Sequence, residues 1–497
     1  MRRPDSSTLA RPAGVLALVA TLLVAGCSSS SPKPQATPST TTLPARTPKV
    51  EPATLEGPIT VGTLSSPADP RPPDLTAIGY TQEEFFASGS ATAYAADGAL
   101  GSDGKWKVTP TTTAPYKTRL LVRRPTDPAR FNGTVVVEWL NVTVVEAAPE
   151  WAYVSKAIID SGAAWVGVSV QALGVIGGTS LLQTGAAGQQ AQSNGGLKGN
   201  NPARYGSLVH PGDAYAFDMF SQIGAAIREP GRVAVLGASK ARRVIGAGES
   251  QSAAYLTGYI DAVDPVADAY DGFFVHSRGA GGARPDGTLD LRGESGGVHF
   301  RSDLDVPVLA FETETDVGPL LGYAKARQPD TDRLRVWEVA GTSHADSYLV
   351  NGSFSFCPAG INNGPQHYVA EAAMAALLRW VEKGTAPPHG TRIHTSTPDS
   401  TTVTRDAHGI ALGGIRTPSV DVPVETLTGD SSPGQPVLCA LFGGAKPFDQ
   451  ATLTSLYPTR QRYLDGFDNA LDRAITLGFV RRADRDEFAA EARAVHL

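Results

Sequence analysis

Three residue types suited to nucleophilic catalysis occur in this chain in a workable order: a serine, then a carboxylate, then a histidine. The serine is Ser250, within Val244-Ile245-Gly246-Ala247-Gly248-Glu249-Ser250-Gln251-Ser252-Ala253. The segment reads as a strand, a tight turn and a helix. Such a turn lifts a hydroxyl clear of a sheet, and small residues two before and two after it let strand and helix pack closely. Here those residues are Gly248 and Ser252, so serine replaces the usual second glycine. The carboxylate comes after the apolar run Pro307 to Phe311, in Glu312-Thr313-Glu314-Thr315-Asp316. Asp316 has the offset expected of a residue that orients an imidazole, and Glu314 is the alternative acid. The histidine is His344, in Ala340-Gly341-Thr342-Ser343-His344-Ala345-Asp346, one helix and one strand further on. Placed there, it takes the serine proton and returns it to the leaving group.

A developing oxyanion needs two N–H donors. Gln251, directly after the serine and at a helix N-terminus, is expected to supply one. The loop after Val135–Trp139 is expected to supply the other, with Asn141 preferred over Leu140 and Val142. Rival serines exist. Gly293-Glu294-Ser295-Gly296-Gly297 matches G-x-S-x-G literally, but the residues after it leave no room for a helix, and the diglycine opposes one. Ser295 therefore reads as a surface turn. Gly237-Ala238-Ser239 fails similarly, because another strand begins within a few residues. Of the other histidines, His210 and His276 could line a pocket, His367 begins a helix, and His389, His394 and His408 fall late in the chain. The sequence holds no HExxH, no clustered metal ligands and no glycine loop placed to cradle phosphate, so no cofactor or metal is expected.

The elements that must carry these residues alternate short β-branched runs with Ala-rich helical stretches, the pattern of a parallel α/β sheet. Strands are predicted at 118–122, 134–139, 164–170, 242–247, 272–276, 306–311 and 334–339. Helices are predicted at 149–160, 213–228, 251–263, 320–327 and 366–383. The Gly/Gln/Asn-rich stretch from Gln171 to His210 reads as a structureless lid, an insertion at about 171–212. Its Leu181, Leu182, Tyr205 and Leu208 suggest an enclosed, partly apolar acyl pocket. Beyond a core spanning 57–390, the character changes. A hairpin is predicted from 391–404 and 408–415. A helix over 459–477 places Tyr463, Phe467, Leu471 and Ile475 on one face, and Asp484 with Glu487 resembles a capping box. Residues 391–497 are thus expected to form an extension packed on the core.

The amino-terminal 26 residues read as a signal peptide, with Arg2, Arg3 and Arg11 before the apolar run Ala13 to Ala25. That run ends in Val24-Ala25-Gly26-Cys27, which resembles a bacterial lipobox, so Cys27 is expected to carry lipid. Residues 27–56 then form a tether whose Ser, Thr, Pro and Ala content cannot bury enough surface to order it. The expected location is the cell envelope, with the membrane engaged through the anchor only. Without the signal peptide the chain holds 40 basic and 48 acidic residues, a net charge of −8, which argues against nucleic-acid partners. Cys357 and Cys439 remain as an even pair in an oxidising compartment; a disulfide between them is expected, with two buried thiols as the alternative.

Taken together, these segments resemble a bacterial branch of the α/β-hydrolase superfamily, the alpha/beta hydrolase domain proteins. The likeness runs over nearly the whole mature chain. It is carried by Phe131-Asn132-Gly133 through Asn141-Val142, by Gly248-Glu249-Ser250-Gln251-Ser252, and by Glu312 to Asp316. Gly341 to Ala345, Gly364-Pro365-Gln366-His367-Tyr368, and Tyr205 through Asp213 add to it. The resemblance implies an α/β-hydrolase fold and a hydrolase, with an esterase the leading expectation. Its substrate would be a small-molecule or lipid-like ester, cleaved through an acyl-enzyme. Acyl transfer to an envelope acceptor uses the same three residues, and a binding lipoprotein that kept the fold without the chemistry is a reading of a different class.

Overall fold

Nine strands form one sheet: β1 (Thr54–Glu56), β2 (Tyr80–Ala96), β3 (Val108–Pro125), β4 (Thr134–Trp139), β5 (Ala164–Val168), β6 (Arg243–Glu249), β7 (Gly272–His276), β8 (Val308–Thr313) and β9 (Leu334–Val339). Their spatial order is β1-β2-β3-β5-β4-β6-β7-β8-β9. The six from β5 to β9 pair in parallel, and β1, β2 and β3 join at one side as antiparallel strands. This computed structural model describes residues 43–182, 187–229, 231–294, 296–352, 357, 360–431 and 434–497, with only the backbone at 187–192 and 437. The signal segment with Cys27 and the rival serine Ser295 lie outside the described residues.

The parallel strands are buried on both faces, which explains their continuous apolar runs. In β4, Val135, Val137 and Trp139 face one core, and Val136 faces the other. The first core is closed by α2 (Ala216–Arg228) and α3 (Gln251–Gly258), the second by α1 (Pro149–Ser161) and α4 (Gln366–Lys383). Glu138 points into the second core and accepts from the N–H groups of Glu150 and Trp151 and from Trp165 Nε1. A strand carboxylate thus takes up the free donors at the start of α1, whose own N-cap, Ala148, has no side chain to do so.

Several expectations need correction. The expected tether does not extend to residue 56: Ala53 and Leu55 are buried in the core, Thr54–Glu56 form β1, and Arg46 pairs with Asp264, because these residues find partners far along the chain. The long hairpin β2–β3 was legible only at 118–122, because the outer part of β3 is an exposed, Thr-rich ribbon and β2 buries several small residues, Ala87, Ala91 and Ala93. The 171–212 insertion is not structureless: helices occupy Ala172–Ile176, Ala187–Asn200 and Pro202–Tyr205. Tyr205 and Leu208 are fully buried against Phe86, Val175 and Leu197 and so wall no pocket, whereas Leu181 is exposed. The helix at 320–327 shrinks to a 3-10 turn, Tyr323–Ala326, because Gly322, at φ 72°, breaks it. Residues 391–415 form isolated bridges, Ile393 with Gly413, Thr395 with Val403 and Arg405 with Ala411, in place of a two-stranded hairpin.

The carboxy-terminal helices α5 (Arg460–Leu477) and α6 (Arg485–Ala494) pack through Tyr463, Phe467, Leu471 and Phe488. The capping box at Asp484 does not form: its carboxylate pairs with Arg481, while Glu487 and Asp484 both reach Lys156 on α1. Among the described residues no helix is long and apolar enough to cross a membrane.

Candidate active site

Ser250 sits between β6 and α3 with φ of 61° and ψ of −117°, a conformation that costs a non-glycine residue roughly 1–3 kcal/mol and persists only where surroundings enforce it. They do so here. The Ser250 N–H donates to His276 O on β7 at 2.9 Å, and its carbonyl accepts from Ala254 N at 3.1 Å. Gly248 must be small: a Cβ there would lie 3.0 Å from Ser252 Cβ and 3.1 Å from Leu256 Cδ1. Strand and helix therefore meet closely enough to expose Ser250 while Ser252 stays buried.

Strands β8 and β9 bring Asp316 and His344 to the same edge. His344 Nε2 lies 2.7 Å from Ser250 Oγ, and His344 Nδ1 lies 2.7 Å from Asp316 Oδ1. Asp316 is fully buried, and its other oxygen accepts from Thr313 N at 2.6 Å and Thr313 Oγ1 at 2.7 Å. That fixes the carboxylate plane and, through it, the imidazole. Burial alone would pull the His344 pKa down, but the charge and hydrogen bond of Asp316, with the charge of Glu249, outweigh it and leave the pKa raised. Gly341, at φ 72°, turns the chain out of β9 toward His344.

Glu314 is placed elsewhere. Its Oε2 accepts from Gly341 N and its Oε1 from Gly429 N, both at 2.9 Å, and Thr428 Oγ1 and Arg405 also bind it. It joins the His344 loop to the carboxy-terminal extension and does not touch the imidazole. The same loop is held by Ala345 N on Leu441 O at 2.9 Å and by Asn362 Nδ2 on Gly341 O at 3.0 Å. Cys357 and Cys439 are joined by a disulfide in the same cluster as Ala345 and Phe442.

The oxyanion donors divide. Gln251 opens α3, so its N–H has no acceptor within the helix. Asn141 is a correction: its N–H donates to Ala147 O at 3.0 Å, and that of Leu140 to Val168 O at 3.2 Å. The Val142 N–H instead meets a side chain, Gln251 Oε1, at 3.2 Å.

A polar cluster that the sequence did not disclose lies under the serine, on the α1 and α4 face. Gln366 Nε2 is 3.0 Å from His276 Nε2, and His276 Nδ1 is 3.3 Å from Glu150 Oε2. The two ring nitrogens of His276 are thus taken up by Gln366 and Glu150. Burial lowers the His276 pKa to about 4 and keeps the ring neutral. Asp346, pushed up to about 7 by burial, accepts from Tyr153 Oη at 3.1 Å. Glu249, the residue before the nucleophile, completes the cluster. The only sequence signal for it was a charge ending an otherwise apolar strand. His276 thus belongs beneath the pocket, and His210, whose Nδ1 accepts from Gly212 N and whose Nε2 meets Val170 O, fastens the base of the insertion.

The alpha/beta hydrolase domain model matches residues 55–490 of this chain. The chain belongs to the alpha/beta hydrolase domain family. Its fold is accordingly the α/β-hydrolase fold, and the protein is a hydrolase. No curated protein matches it. Solved structures similar to this hydrolase include a glucuronoyl esterase from Solibacter usitatus, 14% identical over 59% of this chain and 82% of that one, with a TM-score of 0.28. An α/β serine hydrolase without lid from Xanthomonas campestris is 13% identical over 58% and 95%, with a TM-score of 0.30. A serine hydrolase homologue from Coxiella burnetii is 9% identical over 46% and 84%, with a TM-score of 0.27. These likenesses are distant, and membership rests on the family model.

Proposed function

We propose that this hydrolase cleaves carboxylic esters through an acyl-enzyme, with Ser250 as nucleophile, His344 as general base and then acid, and Asp316 as the residue that orients His344. The observation that carries the reading is the continuous path from Ser250 Oγ through the imidazole to Asp316, with 2.7 Å at each step. Attack of Oγ on the ester carbonyl passes its proton to Nε2, and the imidazolium is stabilised by the buried carboxylate at Nδ1. The proton then goes to the departing alcohol, and water repeats the sequence in reverse.

The oxyanion is held by the Gln251 N–H and, in this reading, by the Val142 N–H. The acceptor now on Val142 belongs to a side chain that can rotate away, whereas the Leu140 and Asn141 donors are locked on backbone carbonyls. The substrate is a small-molecule or lipid-like ester. The protein acts at the cell envelope, anchored through lipid on Cys27, a reading supported by the Val24-Ala25-Gly26-Cys27 sequence and the tether after it. Loss of membrane association in Cys27→Ala checks the anchor.

Labelling of the full chain by a fluorophosphonate, compared with Ser250→Ala and Ser295→Ala, tests the site. Labelling lost in Ser250→Ala alone is the expected result. Labelling lost only in Ser295→Ala, or an unlabelled wild type, overturns the proposal.

A further inference from the structure

Glu249 puts a second carboxylate at the working end of the imidazole. It is 5% exposed, and its Oε1 lies 3.5 Å from His344 Nε2, the nitrogen that Ser250 Oγ approaches to 2.7 Å. Its Oε2 lies 3.4 Å from Asn141 Nδ2, an amide that also donates at 3.0 Å to the Glu249 carbonyl. Among the described residues no other hydrogen bond reaches this carboxylate. Asp316 differs sharply: both its oxygens are engaged, one by His344 and the other by Thr313. One carboxylate is therefore saturated at Nδ1, while the other keeps an acceptor oxygen beside Nε2.

We propose that Glu249 orients the water that deacylates Ser250, and so biases this site toward hydrolysis and away from acyl transfer to alcohols. The inference rests on the assignment of Ser250, His344 and Asp316 given above. In the acyl-enzyme Oγ is esterified, and Nε2 no longer has the serine proton to accept. A water entering there donates one O–H to Nε2 and the other to Glu249 Oε1. Its oxygen bonds to the acyl carbon as the first proton passes to Nε2. The bond from that carbon to Oγ then breaks, Oγ takes the proton from Nε2, and the second proton leaves on the carboxylic acid. An alcohol has one O–H. When that proton is given to Nε2, as attack requires, Glu249 Oε1 receives no donor from the nucleophile. The carboxylate then keeps only the 3.4 Å contact of Oε2 with Asn141 Nδ2, and a poorly satisfied, desolvated acceptor of this kind is costly.

Five groups face Glu249: His344 and Asp316 from the strand-end loops, His276 from β7, Glu150 from α1, and Asn141 after β4. Burial pushes the Glu249 carboxyl up to about 7; the two histidines oppose this, and Glu150 and Asp316 add to it. Below that pH the acceptor is lost by protonation, so the transferred share rises as pH falls.

The test is the partition of one acyl-enzyme. The full chain is given a p-nitrophenyl ester in buffer containing methanol, and the ratio of methyl ester to free acid is measured. Both products come from the same intermediate, so the acylation rate cancels. In Glu249→Gln the amide oxygen is claimed by Asn141 Nδ2 and an NH2 faces His344; the ratio should rise about fivefold or more, the equivalent of one lost hydrogen bond. Glu249→Ala should move it the same way. A ratio unchanged in both variants, with wild type still labelled by fluorophosphonate, overturns the role of Glu249 and leaves the catalytic assignment standing. A wild type that does not label takes both down.

Discussion

The turn that carries Ser250 and the loop that carries His344 are held in different ways. The first is built from one strand, one strained residue and one helix, with a tight contact between Gly248 and Ser252, one bond to the neighbouring β7 and two to the loop after β4. The second leaves β9 and is then fastened by residues far along the chain, through Glu314 to Gly429, Asn362 to Thr428, and Ala345 to Leu441. The geometry of Ser250 is therefore set largely by its near neighbours in sequence. The geometry of His344 depends on the carboxy-terminal extension.

This contrast can be broken or sharpened by experiment, and the largest effect is expected at the serine. Ser250→Ala should lower the ester-hydrolysis rate by about 10³-fold or more, with thermal stability preserved, because only the Oγ is removed and alanine meets the same backbone strain as serine. Next come the two carboxylates of the β8 end. Asp316→Asn should cost on the order of 10³–10⁴-fold in kcat, since the wrong tautomer of His344 is then favoured. Glu314→Gln should instead lower stability by about 1–3 kcal/mol, through the Gly341, Gly429 and Arg405 contacts, with the folded enzyme within about tenfold of wild-type kcat. A large kcat loss in Glu314→Gln at normal stability would reverse the two roles.

A smaller effect is expected from the disulfide. The Cys357→Ala/Cys439→Ala double variant should unfold about 2–4 kcal/mol more easily in denaturant titration, because the bond closes a loop of 82 residues. Its kcat should fall only a few-fold, roughly 1 kcal/mol of barrier, since Ala345 and Asn362 still hold the loop. The smallest expected change is in pH dependence. His344 must be neutral to accept the serine proton, and its pKa is raised. The kcat/KM of wild type should therefore climb with pH through a value above 6.5, the ordinary value for histidine. Removing the Asp316 charge should move that acid limb to lower pH in the residual activity of Asp316→Asn. A limb that stays in place would mean that another group controls it.

Much of the fold was legible because its signals are short-range. The β-branched runs of β4, β7 and β9 and the helix α4 match their predicted bounds residue for residue. Strands buried on both faces leave short, largely apolar runs bounded by turn residues. The insertion and the outer part of β2–β3 were not legible. Their residues are small or polar, and their conformation is settled by contacts such as Tyr205 with Glu84, which are 121 positions apart.

The site divides along the same line. Sequence alone determined that Ser250 would stand on a turn between strand and helix, because steric rules over ten consecutive residues decide that. It also determined the order of serine, acid and base. Tertiary structure alone decided which carboxylate meets the imidazole. Asp316 and Glu314 are two positions apart on one turn, and only the placement of Thr313, Gly341 and Arg405 around them sends one to His344 and the other to the extension. It likewise decided the oxyanion loop, where Ala147 claims the Asn141 N–H, and the approach of Glu249 to an imidazole 95 positions away. The physical reason is common to all three. A hydrogen bond is won by whichever acceptor lies within about 3 Å, and across a sheet that distance is set by strand register and packing, which no local pattern records.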